Sequence, residues 1–500
     1  METIKLYDND NVALAIEELK VGDEILVEDK KIVVKNYIPK AHKIALKDFK
    51  VGEDIIKYDN SIGNATQNIK IGEWVHEHNL ATALGKERTY EYNYDPLNTI
   101  LPGNSNKKWT GYLRDNGKAG IRNYLAIVTT VFCANGPAER IKELVNNKHQ
   151  TQDNYDGAIL LTQPYGCSQT GEDLETTAKI LARIIKNPNF GGVLVVCNGC
   201  EMVNKDLILH YMGEFDENRI KLLTLQEVED EFEVAMSQVD SMMNNIKEDK
   251  REPLNYDKLH IAMNCGGSDG YSGITANTIL GCLCEKMVKL GATMNMTEVP
   301  EMFGAEHLLM NQAINKKVYK DVVKMIEDYK DYFKKYNEKV SDNPTQGNKA
   351  GGLTTLEEKS LGCTQKGGHC AVVEVLDYAD EATKKGFVLV SGPGNDLAGV
   401  TGQIAAGATL TIFTTGRGTP AGFAGPLFRL SSNTELAKRK PHWIDFDAGV
   451  LLKCKDEDEK KELIENLYEA IMKTVNGEYI TCNEKNDYYQ MAPLKDGVTL

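Results

Sequence analysis

The stretch HIAMNCGGSDGYSGITAN, residues 260–277, carries the pattern that decides the fold. It opens with a short, largely apolar run, continues through a glycine-rich polar loop and leads into a helical stretch that reaches Leu290. A buried strand followed by a loop and a helix is the repeating unit of a parallel sheet covered by helices. In such sheets, ligands bind beyond the carboxyl ends of the strands. The stretch therefore predicts an α/β fold and indicates where a functional site would lie.

The same alternation of apolar runs and helical stretches extends over residues 109–500. Further strands are expected at Tyr124–Phe132, Ala158–Thr162, Gly192–Cys197, Thr293–Thr297, Phe387–Ser391 and Thr409–Thr414. A segment rich in Gly and Asn, Ser341–Thr355, is interpreted as a divide between two lobes. We therefore predict a large α/β body with parallel sheets, made of one lobe at 109–345 and a second at 346–500.

Residues 1–80 follow a different pattern of short strands separated by turns. Three turns share an apolar–Gly–acidic sequence, at Val21–Asp23, Val51–Glu53 and Ile71–Glu73. This pattern predicts a small β domain, with one helix near Ala13–Leu19. Residues 81–108 are polar and rich in Asn, Pro and Gly, and are predicted to form a linker.

Composition limits the classes of function. A net charge of −15 argues against nucleic acid as the main partner, because phosphate binding needs clustered Lys and Arg. The beginning of the chain lacks the pattern of a signal peptide, and no apolar run approaches the roughly 20 residues that span a bilayer. We therefore expect a cytoplasmic protein without a membrane partner, whose eleven cysteines are reduced thiols or metal ligands.

Three polar clusters that contain cysteine follow predicted strands: PYGCSQTGED at 164–173, CNGCE at 197–201 and the loop after residue 263. Each alone could be a tight turn with a small buried cysteine, but three at one type of sheet edge favour ligand binding. A fourth, KSLGCTQKGG at 359–368, precedes a strand and does not fit this pattern. The candidate substrate-binding residues from these loops are Cys167, Gln169, Cys265, Gly266, Gly267, Ser268 and Asp269. An iron–sulfur cluster on Cys167, Cys200, Cys265 and Cys363 is a less favoured alternative, since their spacing does not show that they converge.

Other candidates are charged residues near strand ends and in glycine-rich segments. Glu298 and Glu301 suit metal binding or acid–base work, or are solvated acids at the start of a helix. Asn348, Lys349 and Lys359 could cover an acidic substrate, or lie in a solvated loop between lobes. Arg417 could bind an anion, or be a surface arginine in a turn.

The small domain contains three histidines, His42 in KAHKIALKDF and the pair His76 and His78 in EWVHEHNL. On a strand, residues two apart point to the same face, so this pair would lie side by side, with Glu77 on the opposite, solvated face. Three imidazoles are the ligand count of an open catalytic metal site. The three histidines are therefore candidates for a metal site, while a proton relay and a solvated strand edge are the other interpretations of the pair.

The chain resembles the altronate and galactarate dehydratase family, sugar-acid lyases with an N-terminal SAF (β-clip) domain. The resemblance runs nearly end to end and is carried by RDNGKAGIRN, YGCSQTGED, CGGSDGYSGITAN, TEVPEMFGAEHLLM, GNKAGGLTTLEEKSLGCTQK and TGRGTP. It implies elimination of water from D-altronate to give 2-dehydro-3-deoxy-D-gluconate. It also implies an iron(II) cofactor, for which manganese could substitute, and an active site at the junction of the SAF domain with the body.

Within this resemblance, His76 and His78 are assigned to the metal, and His42 is a third ligand or a proton-transfer group. Glu298, Glu301 and Lys349 are further catalytic candidates, while Asn348, Lys359 and Arg417 would contact the substrate. Alternatives are a galactarate dehydratase or sulfolactate lyase of the same family, an iron–sulfur-dependent sugar-acid dehydratase, and a non-enzymatic carbohydrate-binding protein. The expected partner is a small sugar acid, and self-association into a homo-oligomer is left open.

Overall fold

The N-terminal domain is built from short antiparallel strands. The structure, a computed structural model, describes residues 2–85, 89–152 and 154–499. The strands of this domain are Thr3–Ile4, Val12–Ala15, Glu24–Val27, Lys30–Val33, Lys43–Ala45, Asp54–Lys57, Asn60–Ala65, Trp74–Val75 and Leu80–Ala81. The predicted helix near Ala13–Leu19 is wrong. Val12–Ala15 is a strand buried along its whole length, because it pairs with a strand on each side and sheet packing overrides local preference.

The three apolar–Gly–acidic turns form one repeated structure. Gly22, Gly52 and Gly72 have φ of 91°, 86° and 86°, in the left-handed region that glycine adopts without strain. In each turn, the carboxylate that follows the glycine accepts a hydrogen bond from the backbone N–H three residues earlier. The pairs are Lys20 with Asp23, Lys50 with Glu53, and Lys70 with Glu73. The acidic residues therefore close the turns.

Two parallel sheets form the body that follows. The four-stranded sheet has, in spatial order, Ala158–Leu161, Tyr124–Thr129, Phe190–Cys197 and Ile220–Thr224. The seven-stranded sheet has, in spatial order, Val372–Leu376, Gly386–Val390, Thr293–Met296, His260–Cys265, Leu410–Thr415, Leu427–Ser431 and Phe446–Asp447. An antiparallel sheet of Lys108–Leu113, Ala119–Gly120 and Glu252–Asn255 connects them. The predicted apolar runs of the body are all strands of these sheets, which confirms the α/β prediction.

Helices alternate with the parallel strands. Those associated with the four-stranded sheet are Asn135–Lys148, Gly171–Ile185, Lys205–Met212 and Glu231–Ile246. Those of the remaining chain are Ala276–Leu290, Glu306–Asn311, Lys316–Lys335, Gln346–Ala350, Leu356–Thr364, Asp396–Ala405, Thr434–Arg439, Glu457–Val475 and Cys482–Lys485. Within the described parts of the chain, no helix combines the length and apolar content needed to cross a membrane.

The predicted boundary between residues 345 and 346 does not separate two sheets. Strand Thr293–Met296 pairs with Gly386–Val390, so strands from both sides of this boundary build one sheet. The change of sheet falls instead between Thr224 and His260. The two sheets are also joined by Arg122, whose buried guanidinium pairs with Glu484 near the C-terminus.

The order of strands defines where a ligand would bind. His260–Cys265 is the first strand of the seven-stranded sheet in the chain, yet it lies between Thr293–Met296 on one side and Leu410–Thr415 on the other. The chain thus reverses its direction of sheet growth at this strand. Such switch points open a crevice at the carboxyl ends of the strands.

Candidate functional site

Four potential metal ligands converge at this crevice. Cys265, Glu298, Glu301 and Cys363 are buried, and their ligand atoms all lie within 4.8 Å of one another. Cys265 ends the switch-point strand, the two glutamates follow the next strand, and Cys363 comes from helix Leu356–Thr364. We call these four residues the cysteine–glutamate cluster. In residues 2–85, 89–152 and 154–499, no other group of three or more His, Cys, Asp or Glu ligand atoms is this compact.

Backbone conformation brings the two glutamates of the cluster together. Glu298 has φ of 71°, in the left-handed region that non-glycine residues rarely adopt. Its carbonyl accepts a hydrogen bond of 2.8 Å from the N–H of Glu301, which closes a tight turn directly after the strand. Strained conformations of this kind concentrate at functional sites, and this one aims both carboxylates at the same point.

Two buried ammonium groups contact the cluster. Lys366 Nζ lies 3.0 Å from Cys265 Sγ and also pairs with Glu298. Lys359 Nζ lies 2.7 Å from Glu301 Oε1. Burial opposes the charge on each lysine, but the surrounding acidic groups raise the pKa of both. Both lysines therefore remain cationic beside the thiol and carboxyl groups of the cluster.

Two of the four ligands, Cys265 and Glu298, hold their protons more tightly than free side chains do. The hydrogen bond that the Cys265 thiol donates to Cys363 Sγ, together with burial, raises the pKa of Cys265 well above its usual value. Burial, together with the neighbouring Cys265, likewise raises the pKa of Glu298. A divalent cation would displace these protons, as metal binding to thiol and carboxyl ligands generally does. Two thiolates with two carboxylates suit a borderline ion such as iron(II).

Asp396 is a further titratable group at the edge of the cluster. It begins helix Asp396–Ala405, and its Oδ2 lies 2.3 Å from the place that a Cβ on Gly266 would occupy. Burial, reinforced by the charge of Glu301, raises the pKa of Asp396 to about 7. A carboxyl group with this pKa can both give and take a proton at neutral pH.

Hydrogen bonds to other segments of the body hold the glycine-rich loop after Cys265 in place. The carbonyl of Gly267 accepts hydrogen bonds from the N–H groups of Gly416 and Arg417. The buried carboxylate of Asp269 accepts hydrogen bonds from three side chains, those of Ser272, Ser432 and Asn433. Asp269, predicted to bind substrate, is therefore occupied in fixing the loop.

Two spaces lie beside this loop. A groove of about 410 Å³ lies between the N-terminal domain and the seven-stranded sheet, and its lining includes Lys40, Asp269, Arg417, Lys438 and Arg439. A second cavity of only about 10 Å³, room for about one water molecule, borders Cys265, Lys359 and Cys363. Asp269 lines both spaces, so it marks the wall between the basic groove and the cluster.

Asn348 and Lys349, two further predicted site residues, contact the glycine-rich loop and the N-terminal domain, respectively. Asn348 is buried, and its Nδ2 donates to the carbonyl of Ser268, which ties this segment to the glycine-rich loop. Lys349 pairs with Glu77 of the N-terminal domain at 3.1 Å. Glu77, predicted to be solvated, is exposed and takes part in this contact between the two parts of the chain.

The three histidines of the N-terminal domain are not among the compact ligand groups of the described residues. Strand Trp74–Val75 ends before His76, whose carbonyl accepts hydrogen bonds from Asn79 and Leu80 and closes a turn. The expectation that His76 and His78 share one face of a strand is therefore wrong. His42 and His76 are buried with ring centroids 4.8 Å apart, whereas His78 is exposed.

The two buried histidines contact the body as neutral rings. Trp74 Nε1 donates to His42 Nδ1 at 3.2 Å, so the neutral ring carries its proton on Nε2. His76 Nδ1 lies 2.9 Å from the hydroxyl of Thr354. Burial, reinforced by the charge of Lys43, lowers the pKa of His42 to about 4 and that of His76 to about 3. These residues belong to the junction of the two parts.

Helix Leu356–Thr364, which we call the junction helix, connects this junction to the cluster. Its Glu358 forms ion pairs with Lys43 and Lys57 of the N-terminal domain, each at 2.8 Å, and the pair Lys43–Glu358 is fully buried. Burial opposes the charge on Glu358, but the two lysines lower its pKa to about 2. The same helix supplies Lys359 and Cys363 to the cluster. One helix thus contacts the N-terminal domain and also supplies a candidate metal ligand.

Close packing at this helix depends on two glycines. The Cα of Gly362 on the junction helix lies 2.5 Å from where a Cβ on Gly273 would be placed. The hydroxyl of Tyr58 lies at the same distance from that position. A methyl group at residue 273 would therefore separate the N-terminal domain, the junction helix and the loop after Cys265.

Two predicted substrate residues lie on the other sheet. Cys167 and Gln169 follow strand Ala158–Leu161 of the four-stranded sheet. Gln169 is buried and holds its own turn, since it accepts from the N–H of Gly166 and donates to Thr177. Of the four cysteines considered from the sequence for an iron–sulfur cluster, Cys167 and Cys200 follow strands of the four-stranded sheet, whereas Cys265 and Cys363 belong to the seven-stranded sheet and its helices.

Sequence reasoning did not assign Lys366 and Asp396 to the site, and it considered Cys363 only as a ligand of an iron–sulfur cluster. The segment 359–368 does not follow a predicted strand, and the structure shows that it reaches the cluster from a helix. Lys359, Cys363 and Lys366 are spaced by four and three residues, which places them on one helical face. This spacing was the available signal.

Comparisons with known proteins bear on the identity of this site. Residues 1–83 match the family description "Altronate/galactarate dehydratase SAF domain", and residues 111–247 match "D-galactarate dehydratase/Altronate hydrolase, second domain". Residues 256–499 match "D-galactarate/Altronate dehydratase, C-terminal". The chain is 42% identical to an altronate dehydratase of Bacillus subtilis (strain 168), over 99% of both chains. It belongs to the altronate/galactarate dehydratase family.

Two further relatives cover nearly the same length. An altronate dehydratase of Escherichia coli (strain K12) is 40% identical over the whole of both chains. A galactarate dehydratase (L-threo-forming) of the same organism is 31% identical, over 96% of this chain and 94% of its own. In this member of the family, the cysteine–glutamate cluster lies in the part matched as the C-terminal domain, and His42 and His76 lie in the SAF domain.

Proposed function

We propose that this chain is a hydro-lyase that eliminates water from D-altronate and gives 2-dehydro-3-deoxy-D-gluconate. The observation that carries the proposal is the buried cysteine–glutamate cluster, with its two ammonium groups, at the switch point of the seven-stranded sheet. The full-length similarity to two altronate dehydratases supports the choice of substrate. The proposal includes a cytoplasmic location and a role in hexuronate catabolism.

The proposal assigns a divalent metal, iron(II) with manganese as a substitute, to Cys265, Glu298, Glu301 and Cys363. These residues replace the histidines as the ligand set, because their donor atoms converge and their chemistry suits a borderline ion. When bound, such an ion would act as a Lewis acid toward the carboxylate and 2-hydroxyl of a sugar acid.

The residues of the chain would supply charge and proton transfer. The C2 proton of an aldonate is a weak acid, and hydroxide is a poor leaving group, so one group must remove a proton and another must donate one. Asp396, with its pKa of about 7, is proposed for one of these two transfers. Lys359 and Lys366 remain cationic and would stabilise the negative charge that develops when the C2 proton leaves.

Access to the site would come from the basic groove. Arg417 is exposed there, and Lys438 and Arg439 lie in the same lining. These cations would attract a sugar-acid carboxylate although the whole chain is acidic. The cavity at the cluster holds about one water molecule, so a six-carbon acid requires the wall at Asp269 or the neighbouring Asn348 segment to move.

A substrate panel tests the reaction. Metal-free protein is reconstituted with iron(II) or manganese(II) and assayed for 2-keto acid formed from D-altronate, galactarate and sulfolactate. We expect iron-dependent turnover of D-altronate with the highest kcat/KM. Preferred turnover of galactarate would favour the second candidate, for which the 31% identical galactarate dehydratase provides the support. No product from any of the three acids would contradict the proposed activity.

Cysteine variants test the ligand set. Cys265→Ser and Cys363→Ser should weaken iron binding by on the order of tenfold or more, with a parallel loss of turnover. Cys284→Ser is the matched control, since Cys284 is equally buried in the same part of the chain but lies 3.7 Å from Cys370, outside the cluster. Retained iron in Cys363→Ser, together with lost iron in His76→Ala, would return the assignment to the histidines.

A further inference from the structure

Three cysteines outside the cysteine–glutamate cluster follow neighbouring strands of the four-stranded sheet. Cys133 follows Tyr124–Thr129, Cys167 follows Ala158–Leu161, and Cys200 follows Phe190–Cys197. Tyr124–Thr129 lies between the other two strands, and all three are parallel. The three loops therefore leave the same edge of the sheet, and all three cysteines are exposed there. We call this region the cysteine edge.

The loops of the cysteine edge are bonded to one another. The N–H of Phe132 donates to the carbonyl of Tyr165 at 3.0 Å, and the N–H of Val203 donates to the carbonyl of Gly166 at 3.1 Å. A Cβ on Gly166 would lie only 2.2 Å from the carbonyl oxygen of Thr130. The backbone beside Cys167 thus touches the loops that carry the other two cysteines.

A buried glutamate fixes the loop of Cys200 against the loop of Cys133. The carboxylate of Glu201 accepts hydrogen bonds from the hydroxyl of Thr130 and from the N–H of Gly199, each at 2.6 Å. The carboxylate therefore holds the two cysteine loops in a defined relation.

Two side-chain amides at the cysteine edge lie next to the sulfur of Cys200. Asn198 Nδ2 donates to Cys200 Sγ at 3.1 Å, and Gln226 Nε2 lies 3.7 Å from the same sulfur. Amide donors of this kind stabilise thiolates and tune metal centres bound to them. Gln163, fully buried at the base of the Cys167 loop, has an Nε2 donor with no partner among the described residues. A ligand bound at this edge could supply the acceptor that Gln163 lacks.

The cysteine edge also exposes large apolar side chains. Phe132, Tyr165 and Met202 are 62%, 37% and 41% exposed. Each lies within two residues of one of the three cysteines in the chain, so the edge presents apolar as well as polar groups. Apolar groups near a metal centre limit the access of water and set its local dielectric.

We propose that Cys133, Cys167 and Cys200 bind an iron–sulfur cluster at this edge, as a centre separate from the cysteine–glutamate cluster. A single tetrahedral ion with sulfur at about 2.3 Å would require its sulfur ligands to lie about 3.8 Å apart. These three sulfurs are not among the ligand groups that gather within 4.8 Å in the described residues. At least one pair of these sulfurs therefore lies more than 4.8 Å apart, which disfavours a single ion and favours a cluster of several irons bridged by sulfide, with iron and sulfide as the species that bind.

This inference goes beyond the proposed dehydratase activity and does not depend on it. The test uses full-length protein, purified without oxygen and reconstituted with iron(II) and sulfide. Iron and acid-labile sulfide per chain are counted, and the visible absorption spectrum is recorded. Cys133→Ser, Cys167→Ser and Cys200→Ser are each expected to lose the sulfide and the visible absorption.

Two control variants separate this centre from the other site. Cys454→Ser changes a partly exposed cysteine elsewhere in the chain and should retain sulfide. Cys265→Ser should lose dehydratase turnover while it also retains sulfide. Loss of sulfide in Cys265→Ser, with retention in the three variants of the cysteine edge, would overturn the proposal.

Thiol labelling of the unmodified protein tests the proposal without any variant. After reconstitution, Cys133, Cys167 and Cys200 should become protected from maleimide, while Cys454 should remain reactive, as mapped by peptide mass spectrometry. Full reactivity of the three thiols, a zinc content without sulfide, or a disulfide within this group would each contradict an iron–sulfur cluster.

Discussion

The carboxyl group of Asp396 combines burial with a pKa that burial raises to about 7. If Asp396 transfers a proton during the elimination, Asp396→Asn should lower kcat by about 10²- to 10⁴-fold, the usual contribution of a positioned acid or base. Asp380→Asn is a control, because Asp380 pairs only loosely with Lys179 at the surface, at 3.6 Å. Steady-state kinetics with D-altronate measure both variants. A kcat in Asp396→Asn within twofold of the unmodified enzyme would remove Asp396 from the mechanism.

His78 is expected to be dispensable, in contrast to its sequence-based assignment to the metal. It is exposed, whereas the cysteine–glutamate cluster is buried and contains no histidine. His78→Ala should therefore keep its iron content and its turnover within about twofold, since surface substitutions away from a site have small effects. Iron analysis and kinetics are the measurements. Loss of bound iron in His78→Ala would show that the histidine assignment was right.

At the scale of a single element, the junction helix both attaches the N-terminal domain and supplies side chains to the cysteine–glutamate cluster. Glu358→Gln leaves Lys43 and Lys57 buried without a carboxylate, so the free energy of unfolding should fall by about 3–5 kcal/mol. Glu435→Gln is the matched control, because Glu435 pairs with Lys40 at a largely exposed position, where a pair contributes about 1 kcal/mol or less.

Thermal and urea denaturation of the two variants and the unmodified chain measure the difference. Equal stability of Glu358→Gln and Glu435→Gln would mean that the buried charges do not hold the N-terminal domain. A fall in turnover that exceeds the fall in folded protein would show that displacement of the junction helix also displaces Cys363.

Elements with strong local signals were predictable, and those set by distant contacts were not. The glycine-rich loop after Cys265 was found because a buried strand and a helix flank it in the chain. The sequence predicts a helix near Ala13–Leu19, where Val12–Ala15 is a strand, because the strand partners of Val12–Ala15 lie elsewhere in the sequence. The lobe boundary failed for the same reason, since only pairing of Thr293–Met296 with Gly386–Val390 shows that one sheet crosses it.

The residues of the candidate site show the same difference between local sequence signals and distant contacts. Cys265, Glu298 and Glu301 were predictable because each stands at the end of a strand. Cys363 and Lys366 were not selected, because they approach the same point from a helix whose position depends on the N-terminal domain. His42 and His76 had the residue types of a metal site, but their environment, which only the fold reveals, makes them neutral groups at the junction.

At the scale of the whole molecule, attachment of the N-terminal domain should depend on pH. The folded-state pKa values of His42 and His76, about 4 and about 3, lie below the 6.5 of a free imidazole. The unfolded chain therefore binds more protons than the folded chain as pH falls below about 6.5, so stability decreases with falling pH and continues to do so through about pH 4. Lys43, with a pKa of about 8, and Glu358, with a pKa of about 2, face the same junction and keep their charges across this range.

Urea denaturation as a function of pH measures this effect. The double variant His42→Gln, His76→Gln should show a weaker dependence of the unfolding midpoint on pH between about pH 6.5 and pH 4. The same double change should leave the iron content of the cysteine–glutamate cluster unaltered. An unchanged pH dependence in the double variant would assign the acid sensitivity to other groups.

Lys43 and Lys57 reach Glu358 across a boundary between two parts of the chain that a polar segment connects. Because these contacts position the parts, the peptide connection serves mainly to raise their local concentration. We therefore expect that residues 1–85 and 89–500, produced as two separate polypeptides in one cell, would associate into an active enzyme. Division of the gene at this point would then yield an enzyme of two polypeptides, whose activity in the cell depends on the amount of the smaller one.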